Sequence, residues 1–313
     1  MASERRATGR VLVTGGAGFV GTALLRALAA EDVAVCVVDE RAVRDSALDA
    51  IVGDLRDDSV LDAVKDWCPS AIFHLAARTS VLKSVEDPTD VYDNNVGVTQ
   101  QLLEVARLVG ATAFVFASTN AVAGNSTATL INEHTTLRPL TPYGATKAAA
   151  EMLCSAYSAS YGIAAAPVRL TNVYGPGMTE KDSFIARLLR AAANGSVATI
   201  YGDGRQVRDY VYVDDAVAGL MLAWREQLRE PIVIGSGTST SVRDLHQLVR
   251  SVTDRPLDAV TTDAPRGEMQ AVRVDLTRAR AFGYAPSVGL REGLSRTWVS
   301  WLGSIGKGEA DEP

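Results

Sequence analysis

The chain has 313 residues, of which 47% are hydrophobic and 22% charged, with a formal net charge of -6. This is the composition of a globular enzyme with a large core, and its acidic balance argues against nucleic acid or an anionic membrane as partner. Polar or charged residues break every apolar run short of membrane-spanning length, and MASERRATGR has no apolar segment behind its arginines, so neither a membrane span nor a secretory signal is expected.

In chain order, strands are predicted over Val11–Thr14, Val33–Val38, Ala71–Leu75, Ala113–Ala117 and Ala165–Leu170, with helices over Val20–Ala30, Asp57–Trp67, Asn94–Val109 and Tyr143–Tyr161. The alternation predicts an α/β fold, a doubly wound parallel sheet (Rossmann fold) with its ligand crevice at the carboxyl ends of the strands. Gly15, Asp39, His74, Thr119 and Asn172 fall just beyond such ends. After Gly175, glycines and prolines punctuate shorter segments, which predicts a smaller C-terminal α/β substrate lobe. The expected division is about 1–173 and 174–313, with a stretch near 212–240 returning to the large lobe. Cys36, Cys68 and Cys154 lack CxxC spacing and fit a reducing cytoplasm, while His74, His134 and His246 are too scattered to suggest a metal site.

The first predicted strand runs into Thr14-Gly15-Gly16-Ala17-Gly18-Phe19-Val20-Gly21. Missing side chains let a pyrophosphate approach the backbone, and the following helix directs free N–H groups and its positive dipole end at it. A strand-to-helix turn that binds nothing would carry similar glycines. Asp39 argues for the dinucleotide, because a carboxylate ending the second strand accepts from ribose hydroxyls and repels a 2′-phosphate. NAD is therefore expected as cofactor, rather than NADP. Asp54, in GDLRD, either meets the adenine edge, with Leu55 assigned to the same site, or caps the helix that follows.

Tyr143 and Lys147 stand four residues apart in TPYGATKAAAE, on one face of a helix. There an ammonium can lower the pKa of a phenol. A solvated helix face would show the same spacing, but Thr119, beyond a Phe-Val-Phe strand and in order after the glycine turn, argues against it.

Taken in order, TGGAGFVG, Asp39, GDLRD, HLAAR, Asn95, ASTNAVAG, TPYGATK, RLTNVYGP and GDGRQVRDYVYVDD run through nearly the whole chain. With these motifs it resembles the extended short-chain dehydrogenases that act on nucleotide sugars, the NAD-dependent epimerase/dehydratase family. The resemblance implies that Tyr143 takes a sugar hydroxyl proton, that Lys147 anchors the nicotinamide ribose and tunes the tyrosine, and that Thr119 completes the proton path. It assigns Gly15, Gly18 and Gly21 to the phosphate turn, with Phe19 and Val20 beside it, and sets Leu75, Ala76 and Ala77 against the cofactor. Asn95 would support that segment, although it could equally cap its helix or satisfy buried backbone. On the substrate side the resemblance implies Asn120, Asn172, Thr199 and Tyr201, the last two beside the nucleobase. Arg208 either forks onto the diphosphate or pairs with Asp209. Arg266 and Glu268 stand where the family carries Arg-x-Gly-Asp near the nucleotide ribose.

Departures from the family pattern narrow the reaction. The family's 4,6-dehydratases carry Asp-Glu after the threonine and its decarboxylases a glutamate, whereas Asn120 and Ala121 stand here. Val122-Ala123-Gly124 replaces Val-Tyr-Gly, which reshapes the sugar pocket, and Gly177-Met178-Thr179 replaces an arginine typical of uronate epimerases. What remains is reversible oxidation, the chemistry of a nucleotide-sugar 4-epimerase acting on a UDP-hexose through a 4-keto sugar. The alternatives are a 4-ketoreductase or dehydrogenase on a deoxysugar nucleotide, and a non-catalytic NAD-binding regulator. A homodimer is expected through the helices at 94–109 and 143–161.

Overall fold

The computed structural model describes residues 9–43, 45, 48–125, 130–264 and 267–308. The chain forms β1 (Gly9–Thr14), α1 (Phe19–Leu28), β2 (Val33–Asp39), β3 (Asp49–Val52), α2 (Asp58–Trp67), β4 (Ala71–His74), α3 (Val81–Glu86) and α4 (Pro88–Tyr92). A π-helical turn (Asp93–Gly97) continues into α5 (Val98–Val109), followed by β5 (Ala113–Thr119), α6 (Pro142–Tyr161) and β6 (Ala164–Leu170). Then come β7 (Asn172–Tyr174), α7 (Phe184–Asn194), β8 (Ala198–Tyr201), β9 (Val207–Tyr212), β10 (Ile232–Ile234), β11 (Ser239–Ser241) and β12 (Ala259–Thr262).

The main sheet has seven strands in the order β10-β6-β5-β4-β1-β2-β3. β1 pairs in parallel with both β2 and β4, β2 with β3, and β4 with β5. Strand order reverses between β1 and β4, which makes the carboxyl ends of these two strands the switch point of the predicted doubly wound sheet. β4 and β6 are buried at every residue, as parallel strands covered on both faces must be. β3 was not legible as a strand, since Asp49, Ala50 and Val52 are exposed at the sheet edge and show no alternation.

The core gathers Leu12, Val38, Ile72, Phe114 and Phe116 from the sheet against Val64, Leu102, Leu103 and Ala150 from the helices. Each such large side chain contributes roughly 1.5–3 kcal/mol on burial. The start of α6 is fixed by its sequence: Thr141 Oγ1 accepts from the Gly144 N–H (3.3 Å), Pro142 occupies the first turn, and Gly162 (φ 73°) ends the helix. The predicted helix at 94–109 opens with an additional residue in its first turn, and Asn95 is turned inward and buried there.

The chain forms two compact units, one of Met1–Val122, Leu137–Arg169 and Val217–Ile232, the other of Ala123–Thr136, Leu170–Ala216 and Val233–Pro313. A boundary near 173 does not anticipate Ala123–Thr136 in the second unit. That unit holds a three-stranded sheet, β11-β9-β7, and the parallel pair β12-β8. Among the described residues no helix is long and apolar enough to cross a membrane.

Candidate active site

The turn after β1 is shaped by contacts that exclude side chains. Gly15 has φ +72°, and a Cβ there would lie 2.7 Å from the Ala76 nitrogen. A Cβ at Gly21 would lie 2.2 Å from the Gly15 carbonyl oxygen. At Gly18 the same addition meets only that oxygen, at 3.1 Å, so it would project over the helix start rather than into the fold. Gly18 caps α1 without a side-chain bond, which leaves first-turn N–H groups directed outward. This cradle fits a pyrophosphate, by charge as well as by shape. Phe19 and Val20 are half-buried where the helix begins.

Asp39 ends β2 facing that turn, with Oδ2 accepting from the Ala17 N–H (3.0 Å) and Oδ1 from the Arg41 N–H (3.0 Å). Asp54 accepts from the Arg56 backbone N–H at 2.9 Å and is gripped by the Arg56 guanidinium, which holds its carboxyl below the usual carboxylate range. The helix-capping alternative for Asp54 is not realised, because Asp57 is the N-cap of α2. Leu55 is buried in the core with Val38 and Val60.

Leu75, Ala76 and Ala77 follow β4 half-buried beside the turn, with the Leu75 N–H donating to the Thr14 carbonyl (3.1 Å) and the Ala76 N–H to Thr14 Oγ1 (3.3 Å). His74 does not lie beyond the strand in the crevice as expected: it is the last residue of β4 and wholly buried. Its Nδ1 is 2.8 Å from Thr14 Oγ1 and its Nε2 is 3.0 Å from Thr99 Oγ1. The Thr99 hydroxyl donates to the Asn95 carbonyl (2.6 Å), so Nε2 carries the proton and Nδ1 accepts from Thr14. Burial pulls the imidazole down to about 3, which keeps it neutral. Asn95 accepts from the Arg78 N–H (2.9 Å) and donates to the Arg78 carbonyl (3.1 Å) and to Thr146 Oγ1 (3.0 Å). Its amide thus supports the loop after β4 and satisfies buried backbone in one arrangement.

At the end of β5 three consecutive residues each engage α6. The Ala117 carbonyl accepts from Lys147 Nζ (2.9 Å), the Ser118 hydroxyl donates to Glu151 Oε1 (2.5 Å), and the Thr119 hydroxyl donates to the Tyr143 phenol. Burial pushes the phenol up to about 12, and the bond from Thr119 opposes that rise. The expected lowering by the Lys147 ammonium is not what acts on it here. Lys147 is 2% exposed, with its ammonium committed to the Ala117 carbonyl and lying 4.5 Å from the centroid of the Phe116 ring. Burial pulls Lys147 down to about 7, with the neighbouring Cys154 and Glu151 acting the other way. A half-buried phenol bonded to a hydroxyl, on the same helix face as a readily titrated lysine, is equipped to exchange a proton with a substrate hydroxyl. Asn120 opens a 3-10 turn (Asn120–Ala123) beside it, and Val122 and Ala123 are packed inward.

Sequence reasoning missed Glu151 and Arg169. They are 4% and 3% exposed, with Arg169 Nη2 donating to Glu151 Oε2 (2.8 Å) and Nε to Oε1 (3.0 Å). The signal was present: Glu151 extends the 143/147 spacing by one more turn, and an arginine within Ala-Ala-Ala-Pro-Val-Arg-Leu needs a buried anion.

In the second unit, Arg208 on β9 forms an ion pair with Glu268 and donates to the Val207 carbonyl (2.9 Å). Asp209 is not its partner: that carboxylate is buried, accepting from the Thr171 hydroxyl (2.8 Å) and the Ser236 N–H (2.8 Å). The Asn172 amide donates to the Asp209 carbonyl (2.9 Å). On β8, Thr199 is exposed, and the half-buried Tyr201 ring has the Arg187 guanidinium 5.3 Å from its centroid. Arg266 lies outside the described residues. Among the described residues no group of His, Cys, Asp or Glu is arranged to hold a metal ion.

The model of the NAD dependent epimerase/dehydratase family matches residues 11–235. A UDP-glucose 4-epimerase of Mycolicibacterium smegmatis is 33% identical over 304 residues, covering 92% of this chain and 97% of the relative. The structure of Thermus thermophilus UDP-glucose 4-epimerase in complex with NAD is similar with a TM-score of 0.90 and 32% identity, covering 94% of this chain and 99% of that one. MoeE5 in complex with UDP-glucuronic acid and NAD is similar with a TM-score of 0.89 and 35% identity, covering 95% and 100%. With the glycine cradle, Asp39 and the Tyr143–Lys147 face set in a doubly wound sheet, and with that family's model spanning more than half its length, the chain belongs to the NAD dependent epimerase/dehydratase family.

Proposed function

We propose that this protein is an NAD-dependent nucleotide-sugar 4-epimerase acting on a UDP-hexose. The observation that carries the reading is the Thr119–Tyr143 hydrogen bond beside the buried Lys147, next to Asn120 and Ala121, where no acid is available for elimination or decarboxylation. NAD, when bound, supplies the hydride acceptor and donor for the sugar's C4. The residues that would hold it are the cradle from Gly15 to Gly21, Asp39, Ala76, Ala77 and Lys147.

Within that frame the protein's own groups move one proton. Once ionised, Tyr143 accepts it as the phenolate from the 4-hydroxyl and later returns it, while Thr119 donates to that phenolate and so lowers the cost of its charge. Lys147 offers a cation within a region that excludes water. Arg208, Asn172, Thr199, Tyr201 and Glu268 are the groups proposed for the nucleotide diphosphate, with Arg208 matching phosphate oxygens by charge and planarity. A neutral hexose is favoured by Gly177-Met178-Thr179, which bring no cation to meet a uronate.

The protein is further proposed to act in the cytoplasm as a homodimer, without nucleic acid. Supporting the dimer, Tyr92, Met152 and Tyr161 are each more than half exposed, and Tyr92, Val96, Gln100 and Leu153 line a groove. Incubation with UDP-glucose, UDP-N-acetylglucosamine and UDP-glucuronate, without added reductant, tests the activity. Interconversion at C4 of a neutral sugar is expected in the proton spectrum. Unchanged C4 signals with all three reject the reading, and turnover only of the uronate corrects the substrate.

A further inference from the structure

Glu151 and Arg169 play no part in the proton transfer described above, yet they lie beneath it. The carboxylate is the third member of a stripe on α6, one turn beyond Lys147 and two beyond Tyr143. Each member of the stripe is tied to one residue of Ala117-Ser118-Thr119: Lys147 to the first, Glu151 to the second at 2.5 Å, and Tyr143 to the third. Arg169, from β6, holds the far side of the carboxylate through its Nη2 (2.8 Å) and Nε (3.0 Å). A buried ion pair gives little net stability over an apolar pair of similar volume, so packing alone does not account for a charge at this position.

We propose that Glu151, held by Arg169, is a positioning residue for the proposed epimerase reaction: through Ser118 it locks the end of β5 against α6 so that Thr119 meets the Tyr143 phenol, and it sets a carboxylate one helical turn from Lys147. This inference rests on the epimerase reading. The titratable and charged groups facing Lys147 are His74 from β4, Tyr143, Glu151 and Cys154 on α6, and Arg169 behind the carboxylate. His74 is neutral and burial raises the Cys154 thiol, so Glu151 supplies the negative charge among them.

The test uses the full chain. Wild type is first assayed for sugar interconversion. If it is inert, the epimerase reading fails, and crystal structures of wild type and Ser118→Ala decide the present inference by geometry. Loss of the Thr119–Tyr143 hydrogen bond in the variant supports it, and retention overturns it. With an active wild type, folded Glu151→Gln is expected to lose about tenfold in kcat with KM within about twofold. The alkaline limb of its kcat profile should move about one pH unit towards acid, because the ammonium loses its nearby anion. A lowered Tm with kcat or the limb unmoved, as for a purely structural pair, overturns the inference. If Glu151→Gln does not fold, Ser118→Ala decides. A fall of about fivefold in kcat with the limb unmoved is expected, since only the strand link is cut, and an unchanged kcat overturns the inference.

Discussion

The imidazole of His74 joins two strands to a helix: Thr14 of β1 donates to Nδ1 at 2.8 Å, and Nε2 donates to Thr99 of α5 at 3.0 Å. The chain of bonds continues from Thr99 to the Asn95 carbonyl, and from the Asn95 amide through Thr146 to the Tyr143 carbonyl (2.9 Å). The loop that flanks the glycine turn is thus linked to the helix start that carries Tyr143 without any exposed group. Each donor in the sequence has an acceptor, so its direction is fixed.

Acid should break this link. The folded chain holds His74 at about 3, against an ordinary value of 6.5. Below about pH 6.5 the unfolded chain takes up a proton that the folded chain refuses, so stability present above that pH falls as pH drops towards 3, by up to about 1.4 kcal/mol per pH unit for this one group. Urea unfolding between pH 7.5 and 5 should show a steeper loss for wild type than for His74→Gln. Equal slopes would remove His74 as the source.

Tyr143→Phe removes the proposed proton acceptor and little else. The expected result is a loss on the order of a thousandfold in kcat, with NAD content after purification unchanged. Loss of NAD together with activity would make the phenol structural.

The glycines of the turn should separate into two kinds. Gly21→Ala brings a methyl to 2.2 Å from the Gly15 carbonyl oxygen, an overpacking that costs about 1–3 kcal/mol and lowers Tm. Gly18→Ala projects over the helix start, so Tm should fall less while NAD affinity drops tenfold or more, roughly the worth of a charge-assisted bond. Calorimetry and cofactor titration on both variants check the contrast.

Asp39→Ala removes a carboxylate that faces the turn through the Ala17 N–H. The ratio of NAD to NADP affinity should fall by about tenfold or more, since the repulsion of a 2′-phosphate goes with it. An unchanged ratio would take Asp39 out of the site.

Arg208 already has an anion in Glu268, so a diphosphate bound as proposed would take over or share that guanidinium. Arg208→Gln should raise KM for the UDP-sugar by about tenfold or more, leaving NAD content as it was. Initial-rate measurements on the two proteins check this.

The doubly wound sheet was readable because its strands are short, fully apolar runs between amphipathic helices. Gly15, Gly18 and Gly21 were readable because backbone packing forbids anything else at two of the three. What escaped was set by long-range pairing. His74 looked like a crevice residue because it ends a strand, but its ring is claimed by threonines 60 positions before it and 25 after it. Arg208 was offered Asp209 by adjacency, whereas neighbours along a strand point to opposite faces, and the partner is 60 residues on. Glu151 and Arg169 belong to the same class, being 18 residues apart and paired only once β6 lies beside β5.

The wound-out turn at Asp93–Gly97 has its own consequence. Downstream, Leu102 and Leu103 lock α5 into the core, so its register cannot drift. Excising one residue from that turn would restore regular spirals and swing everything upstream by about 100°, taking Tyr92 and the short Pro88–Tyr92 segment away from α6. A single-codon deletion there should therefore be worse tolerated than any point substitution within the same five residues.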